Sequence, residues 1–244
     1  MVADPKGTAR AFVAELLAAL GDRLRSALLY GSVARGEAVS GVSDINLLIL
    51  VDRVDAGLLR VGSPLARRWA KAGNTAPLLM PWDEWRRASD VFAVELADMK
   101  DAHVLLQGPD PLDGLVVDAR ALRLQAEREI RGKMLQLREG LLLTAEKPEE
   151  VGRLLLTSLP SFATYLRAVL RLSGRTPPAR TEATVRDAAE LVGGDAAAFL
   201  RLWEARVRRH PLRAQVDHPS VTGYYALIER VADYVDQLPE AEKK

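Results

Sequence analysis

The 244-residue chain contains no cysteine, which excludes disulfides, thiolate metal sites and a cysteine nucleophile. Aromatic residues make up only 5%, too few for an obvious base-stacking surface. Trp82, Trp85, Trp203, Tyr224 and Tyr225 are therefore expected in cores or domain contacts. No excess charge of either sign is present: 34 Lys and Arg stand against 33 Asp and Glu. The chain as a whole has no pull toward nucleic acid or membrane, and neither partner is expected. No apolar run approaches the roughly 20 residues of a spanning helix. The opening MVADPKGTAR lacks the charged region followed by an apolar run that marks a signal peptide. A cytoplasmic setting is expected.

Hydrophobic residues at 48% and charged residues at 27% describe an ordinary globular protein with a sizeable core. Hydrophobic patterning divides the chain. Thr8 can cap a helix to about Leu20, and short strands are predicted at 27–30, 45–51, 77–80 and 91–96. Helices are predicted at 32–35, 55–72 (with Pro64 interrupting or restarting it) and 98–106. The stretch GPDPLDG, 108–114, is dense in turn residues and reads as a linker. Beyond it the period becomes helical throughout. Leu122, Ala126, Ile130, Met134, Leu137 and Leu141 recur every three or four residues, and a second long helix follows Pro148. Three more are predicted near 182–192, 195–209 and 220–238. Two domains are expected, an α/β domain over 1–113 and a helical bundle over 114–244.

One stretch concentrates chemistry: Ser26–Val51, SALLYGSVARGEAVSGVSDINLLILV. It reads as a strand, a Gly31-Ser32 turn into a short helix, a polar loop, and a nearly continuous aliphatic strand beginning at Asp44-Ile45-Asn46. Glycine lets backbone approach a ligand, a helix start offers unpaired N–H groups, and Ser32 adds a hydroxyl donor. Those features suit a triphosphate tail; a plain tight turn is the alternative. Arg35 follows one turn later, either at a phosphate or in solvent. Asp44 and Asn46 fall on one strand face, roughly 6.6 Å apart along it.

The Gly-Ser pair, the gap of about a dozen residues and the acidic strand start resemble the signature of the polymerase-beta-type nucleotidyltransferase superfamily. The resemblance spans about residues 10–108. It implies an α/β (α+β) nucleotidyltransferase domain with a small mixed sheet, Mg²⁺ as cofactor (one or two ions) and an NTP as substrate. Gly31 and Ser32 would hold phosphate, with Arg35 nearby. Metal would be held by Asp44, position 46 and a third carboxylate from a neighbouring strand, for which Val94-Glu95-Leu96 is the best match. The helical half resembles the bundles that follow this domain in aminoglycoside nucleotidyltransferases and related bacterial proteins.

The sequence departs from the pattern at Asn46, where the family places an acid. A carboxamide offers a neutral oxygen and no charge. The missing charge about 4 Å from a cation forfeits up to about 4 kcal/mol at an effective dielectric of 20. Two functions follow. One is transfer of a nucleoside monophosphate from NTP to a hydroxyl of a small molecule or protein, with Asp44 and Glu95 as catalytic groups. The other is a catalytically silent nucleotide-binding or protein-interaction module of regulatory or antitoxin-like kind. A homodimer is compatible with either. Elsewhere, Arg206, Arg208, Arg209, His210 and Arg213 read as a solvated basic face, His103 as a half-buried structural histidine, and His210 with His218 as no metal pair.

Overall fold

The structure, a computed structural model, describes residues 4–39 and 43–239. Ser40, Gly41 and Val42 of the expected polar loop lie outside the described residues, as do the first three residues of the N-terminal stretch. The chain divides into two compact units, residues 1–117 and 118–244.

The first unit is built on a four-stranded sheet. Helix α1 (Pro5–Leu20) starts earlier than Thr8, because Asp4 caps it by accepting from the Gly7 N–H at 2.9 Å and Pro5 occupies the first turn. Strand β1 (Leu24–Tyr30), short helix α2 (Ser32–Arg35) and strand β2 (Asn46–Val51) follow. Helix α3 (Ala56–Lys71) then leads to strand β3 (Leu78–Pro81), helices α4 (Trp82–Arg87) and α5 (Ala93–Asp101), and strand β4 (His103–Gln107). The order is β3-β2-β1-β4. β1 lies antiparallel to β2 and β4, while β2 and β3 run parallel, so the sheet is mixed.

Strand alternation sends side chains to two cores. Ala27, Leu29, Leu47, Ile49 and Val51 pack toward α1 and α3. Leu28, Leu48 and Leu50 pack toward α4, α5 and the segment carrying Leu112 and Leu115. With both faces covered, β2 reads as an unbroken aliphatic run.

Three expectations change. The apolar run at 91–96 is not a strand: Ala93–Asp101 is helical, and the strand lies at His103–Gln107 within the expected helix. Short apolar runs fit either period; here Ala, Glu, Leu, Met and Lys favour helix. Leu96 and Met99, three apart, turn one face into the core. Pro64 does not break α3, which runs unbroken through it. The GPDPLDG stretch is not a free linker. Ser26 Oγ donates to the Pro109 carbonyl at 2.8 Å, Trp85 Nε1 donates to the Pro111 carbonyl at 3.0 Å, and Leu112 is buried.

The second unit is all helical: α6 (Ala119–Thr144), α7 (Pro148–Leu172), α8 (Thr181–Leu191), α9 (Ala197–Val207) and α10 (Pro219–Gln237). α7 is its central element, with Val151, Leu155, Leu159, Phe162 and Leu166 at most 1% exposed along one stripe. Phe162 and Phe199 pack on Tyr224 at centroid separations of 5.8 and 5.4 Å. The buried Tyr224 hydroxyl is 2.7 Å from Ser158 Oγ, which satisfies a phenol that has no access to water.

Candidate active site

β1 delivers the chain to a sharp turn. Tyr30, its last residue, pairs with Asn46, the first residue of β2. Gly31 then adopts φ 77° and ψ −154°, a region closed to most L-residues. A Cβ on Gly31 would stand 2.8 Å from Asn46 Nδ2. Glycine is thus required twice, by the dihedral and by the carboxamide pressed against it. The half-buried Ser32 opens α2, and Gly36 ends it in the left-handed region.

Asp44 lies two residues ahead of β2, outside the strand where it was expected. The alternation nevertheless persists: Asp44 is exposed, Ile45 buried and Asn46 half-buried. Asp44 and Asn46 therefore share the parity of Leu48 and Leu50, on the α4–α5 face.

Glu95 does not sit on a neighbouring strand. It lies in the first turn of α5, half-buried. β3 (Leu-Leu-Met-Pro) and β4 (His-Val-Leu-Leu-Gln) contain no carboxylate. The charge of Glu95 is felt at Tyr30, the residue that pairs with Asn46. The Tyr30 phenol is held above its ordinary value by burial first, then by the negative charges of Glu95 and Asp98. Tyr30 packs at the end of β1 against the core that holds Leu96 and Met99 of α5.

Arg35, expected at a phosphate, is instead turned inward. Its Nη2 is 2.6 Å from Asp98 Oδ1 and donates to the Asp98 carbonyl at 2.9 Å, with side chains only 4% and 10% exposed. Asp98 is the second half of this buried pair. Together they fasten the Gly-Ser turn to the helix that carries Glu95, one turn earlier. This pairing was not legible in the sequence. The one clue was an acid at 98 in phase with the apolar positions of a helix.

The oxygen donors available are the Asp44 carboxylate, the Asn46 carboxamide and the Glu95 carboxylate. An all-oxygen set with two charges suits Mg²⁺, which keeps several waters of its own. Among the described residues, no three His, Asp or Glu side chains gather into a metal site. A cage of charged ligands alone is therefore not what this chain offers.

Other candidates are occupied elsewhere. Both nitrogens of His103 are engaged, Nδ1 with the Met99 carbonyl and Nε2 with Asp110, each at 3.0 Å. The basic cluster is spread over separate contacts: Arg206 donates to the Leu156 carbonyl, Arg208 pairs with Glu204 and Arg213 with Glu149. His218 caps α10 by accepting from Ser220 N–H at 3.1 Å. Among the described residues no helix is long and apolar enough to cross a membrane.

No protein-family description matches the chain, and no curated protein matches it. Solved structures do. The fold is similar to that of the spectinomycin adenyltransferase AAD(9) from Enterococcus faecialis, solved with ATP and spectinomycin. The match has a TM-score of 0.58 at 13% identity and covers 95% of this chain and 99% of that one. The chain thus has the fold of a nucleotidyltransferase domain followed by a helical part.

Proposed function

We propose that this chain is a nucleotidyltransferase-like protein that binds a nucleoside triphosphate at the Gly31-Ser32 turn. The reaction its site suits is transfer of a nucleoside monophosphate to a hydroxyl of a small molecule or protein. One observation carries the reading. A positive-φ glycine pressed against Asn46 leads into Ser32 at the end of β1, in a chain whose fold is similar to that of an adenyltransferase solved with ATP. There the Ser32 hydroxyl and the N–H groups opening α2 donate to phosphate oxygens. Asp44, Asn46 and Glu95 would hold Mg²⁺. The ion, when bound, supplies charge neutralisation for the phosphates and acidifies the acceptor hydroxyl. With a single ion bound, Glu95 takes the acceptor proton as pyrophosphate leaves, and Arg35 with Asp98 positions it relative to the turn.

The second reading is a silent nucleotide-binding or protein-interaction module. It is favoured by Asn46 and by the absence of a carboxylate from both strands flanking the β1–β2 pair. Calorimetric titration of ATP and GTP, with and without Mg²⁺, into the wild type and Asn46→Asp tests both. Mg²⁺-dependent binding by the wild type removes the protein-interaction alternative and leaves pyrophosphate release in the presence of candidate acceptors to separate a transferase from a silent nucleotide-binding module. Binding only after Asn46→Asp means a silenced site. No binding by either variant removes the nucleotide altogether.

A further inference from the structure

A second site lies on the opposite sheet face, independent of the nucleotide reading. Between α1, α3 and the sheet is a cavity of about 580 Å³, inside the roughly 300–1,000 Å³ range of small-molecule sites. Phe12, Leu16 and Leu20 form one wall, Ile49 and Leu79 the floor. Opposite them α3 contributes Leu58 and Leu59 and then, from the next turns, only the small side chains of Gly62, Ser63 and Ala66. A Cβ added at Gly62 would meet nothing within 4 Å. Ser63 and Ala76 are exposed, so the space is a cleft open to solvent on this side.

The space is not a product of loosely held helices. Phe12 stacks on Trp69 at 4.3 Å and Glu15 pairs with Arg68 toward one end. Toward the other, Arg23 pairs with Asp55 at 2.9 Å. The α1–α3 pair is pinned on both sides of the gap. At the mouth, Leu59 is 51% exposed. Beside it Arg60 lines the cavity without a hydrogen bond or ion pair to any described residue. An apolar cleft with an exposed, unpaired cation at its edge is complementary to an apolar tail with an anionic head.

We propose that this cavity binds a straight-chain monocarboxylate, its tail between α1 and the sheet and its carboxylate on Arg60 with help from the Ser63 hydroxyl. The test is calorimetric titration of octanoate, decanoate and dodecanoate below their micelle concentrations, with decanol as the uncharged control. Decanoate is expected to bind one to one, each added methylene tightening binding by up to about fourfold. Decanol is expected to bind about tenfold more weakly, and Arg60→Gln should remove that difference. Gly62→Leu fills the space and removes a helix-interior glycine, so it should keep the fold and abolish binding of both ligands. Ala66→Leu does the same from the next turn. Equal affinity for acid and alcohol, no dependence on chain length, or undiminished binding to both filled variants would overturn the proposal. So would a wild-type dimer that Gly62→Leu dissociates and decanoate leaves intact, since the cavity would then belong to a second copy.

Discussion

Arg35→Ala is the most incisive perturbation of the first unit. The guanidinium it removes is 4% exposed and faces a carboxylate 10% exposed at 2.6 Å. Truncation leaves Asp98 buried beside Leu96 and Met99, each 1% exposed, without the guanidinium it faces. Breaking a buried pair from one side costs about 3–5 kcal/mol, whereas an exposed pair contributes about 0–1 kcal/mol. The distinction is measurable by urea unfolding followed through tryptophan fluorescence, with Trp69 and Trp85 both buried in this unit. Arg35→Ala is expected to lose about 3–5 kcal/mol. The double variant Arg35→Met with Asp98→Leu removes both charges and should fall within about 1 kcal/mol of the wild type or exceed it. The double variant also tests function. It restores stability without the tie between the Gly-Ser turn and α5, so nucleotide affinity should stay low where the fold has recovered. A loss under about 1 kcal/mol for Arg35→Ala would refute the buried pair. Wild-type nucleotide affinity in the double variant would refute its positioning role.

Gly31→Ala forces a side chain into a positive-φ position facing Asn46 Nδ2. It should cost about 1–3 kcal/mol and weaken ATP binding in calorimetry. In the second unit, a Cβ on Gly152 would approach the Leu212 carbonyl oxygen to 1.9 Å. Because backbone cannot yield as a side chain does, Gly152→Ala should lower the thermal midpoint clearly, while Gly132→Ala, open on its helix face, should raise it. Asp55 is held down to about 2, first by the Leu58 N–H and then by Arg23. A depressed carboxyl contributes its full stabilisation above the ordinary value of 3.8 and loses it as pH falls toward 2, so Asp55→Asn should flatten the acid limb of a pH–stability curve. Burial holds the Tyr224 phenol well above its ordinary 10.0. The unfolded chain releases that proton first, so stability falls as pH rises past 10, and Tyr224→Phe should flatten this alkaline limb at a cost of about 0.5–1.5 kcal/mol at neutral pH.

The helical half was legible because long helices repeat their signal. Leu122, Ala126, Ile130, Met134 and Leu137 are buried residues of α6, as their spacing requires, and β2 was equally plain because both of its faces are covered. What failed was local. Residues 91–107 contain one helix and one strand of similar apolar content, and which is which depends on partners distant in sequence. His103, Val104 and Leu105 become strand because Tyr30, Leu29 and Leu28 present an open edge to them. Pro64 was misleading for a related reason: helix α3 tolerates it because packing of Leu58 and Trp69 on either side holds the helix against its local cost.

The candidate site divides along the same line between local and distant determinants. Gly31, Ser32, Asp44 and Asn46 are set by one hairpin, and sequence spacing places them together. The proposed third ligand, Glu95, lies on α5, the helix that the Arg35–Asp98 pair ties to the turn. Asn46 is therefore only part of the departure from the expected pattern. With no carboxylate on β3 or β4, restoring an acid at position 46 leaves the charge balance of the site dependent on Glu95, and so on α5 staying docked. Asn46→Asp made alone should regain more metal-dependent nucleotide binding than the same change in the Arg35→Met, Asp98→Leu background. Equal recovery in both would mean that Glu95 contributes nothing to the ion, and that Asp44 and position 46 alone determine what this site can hold.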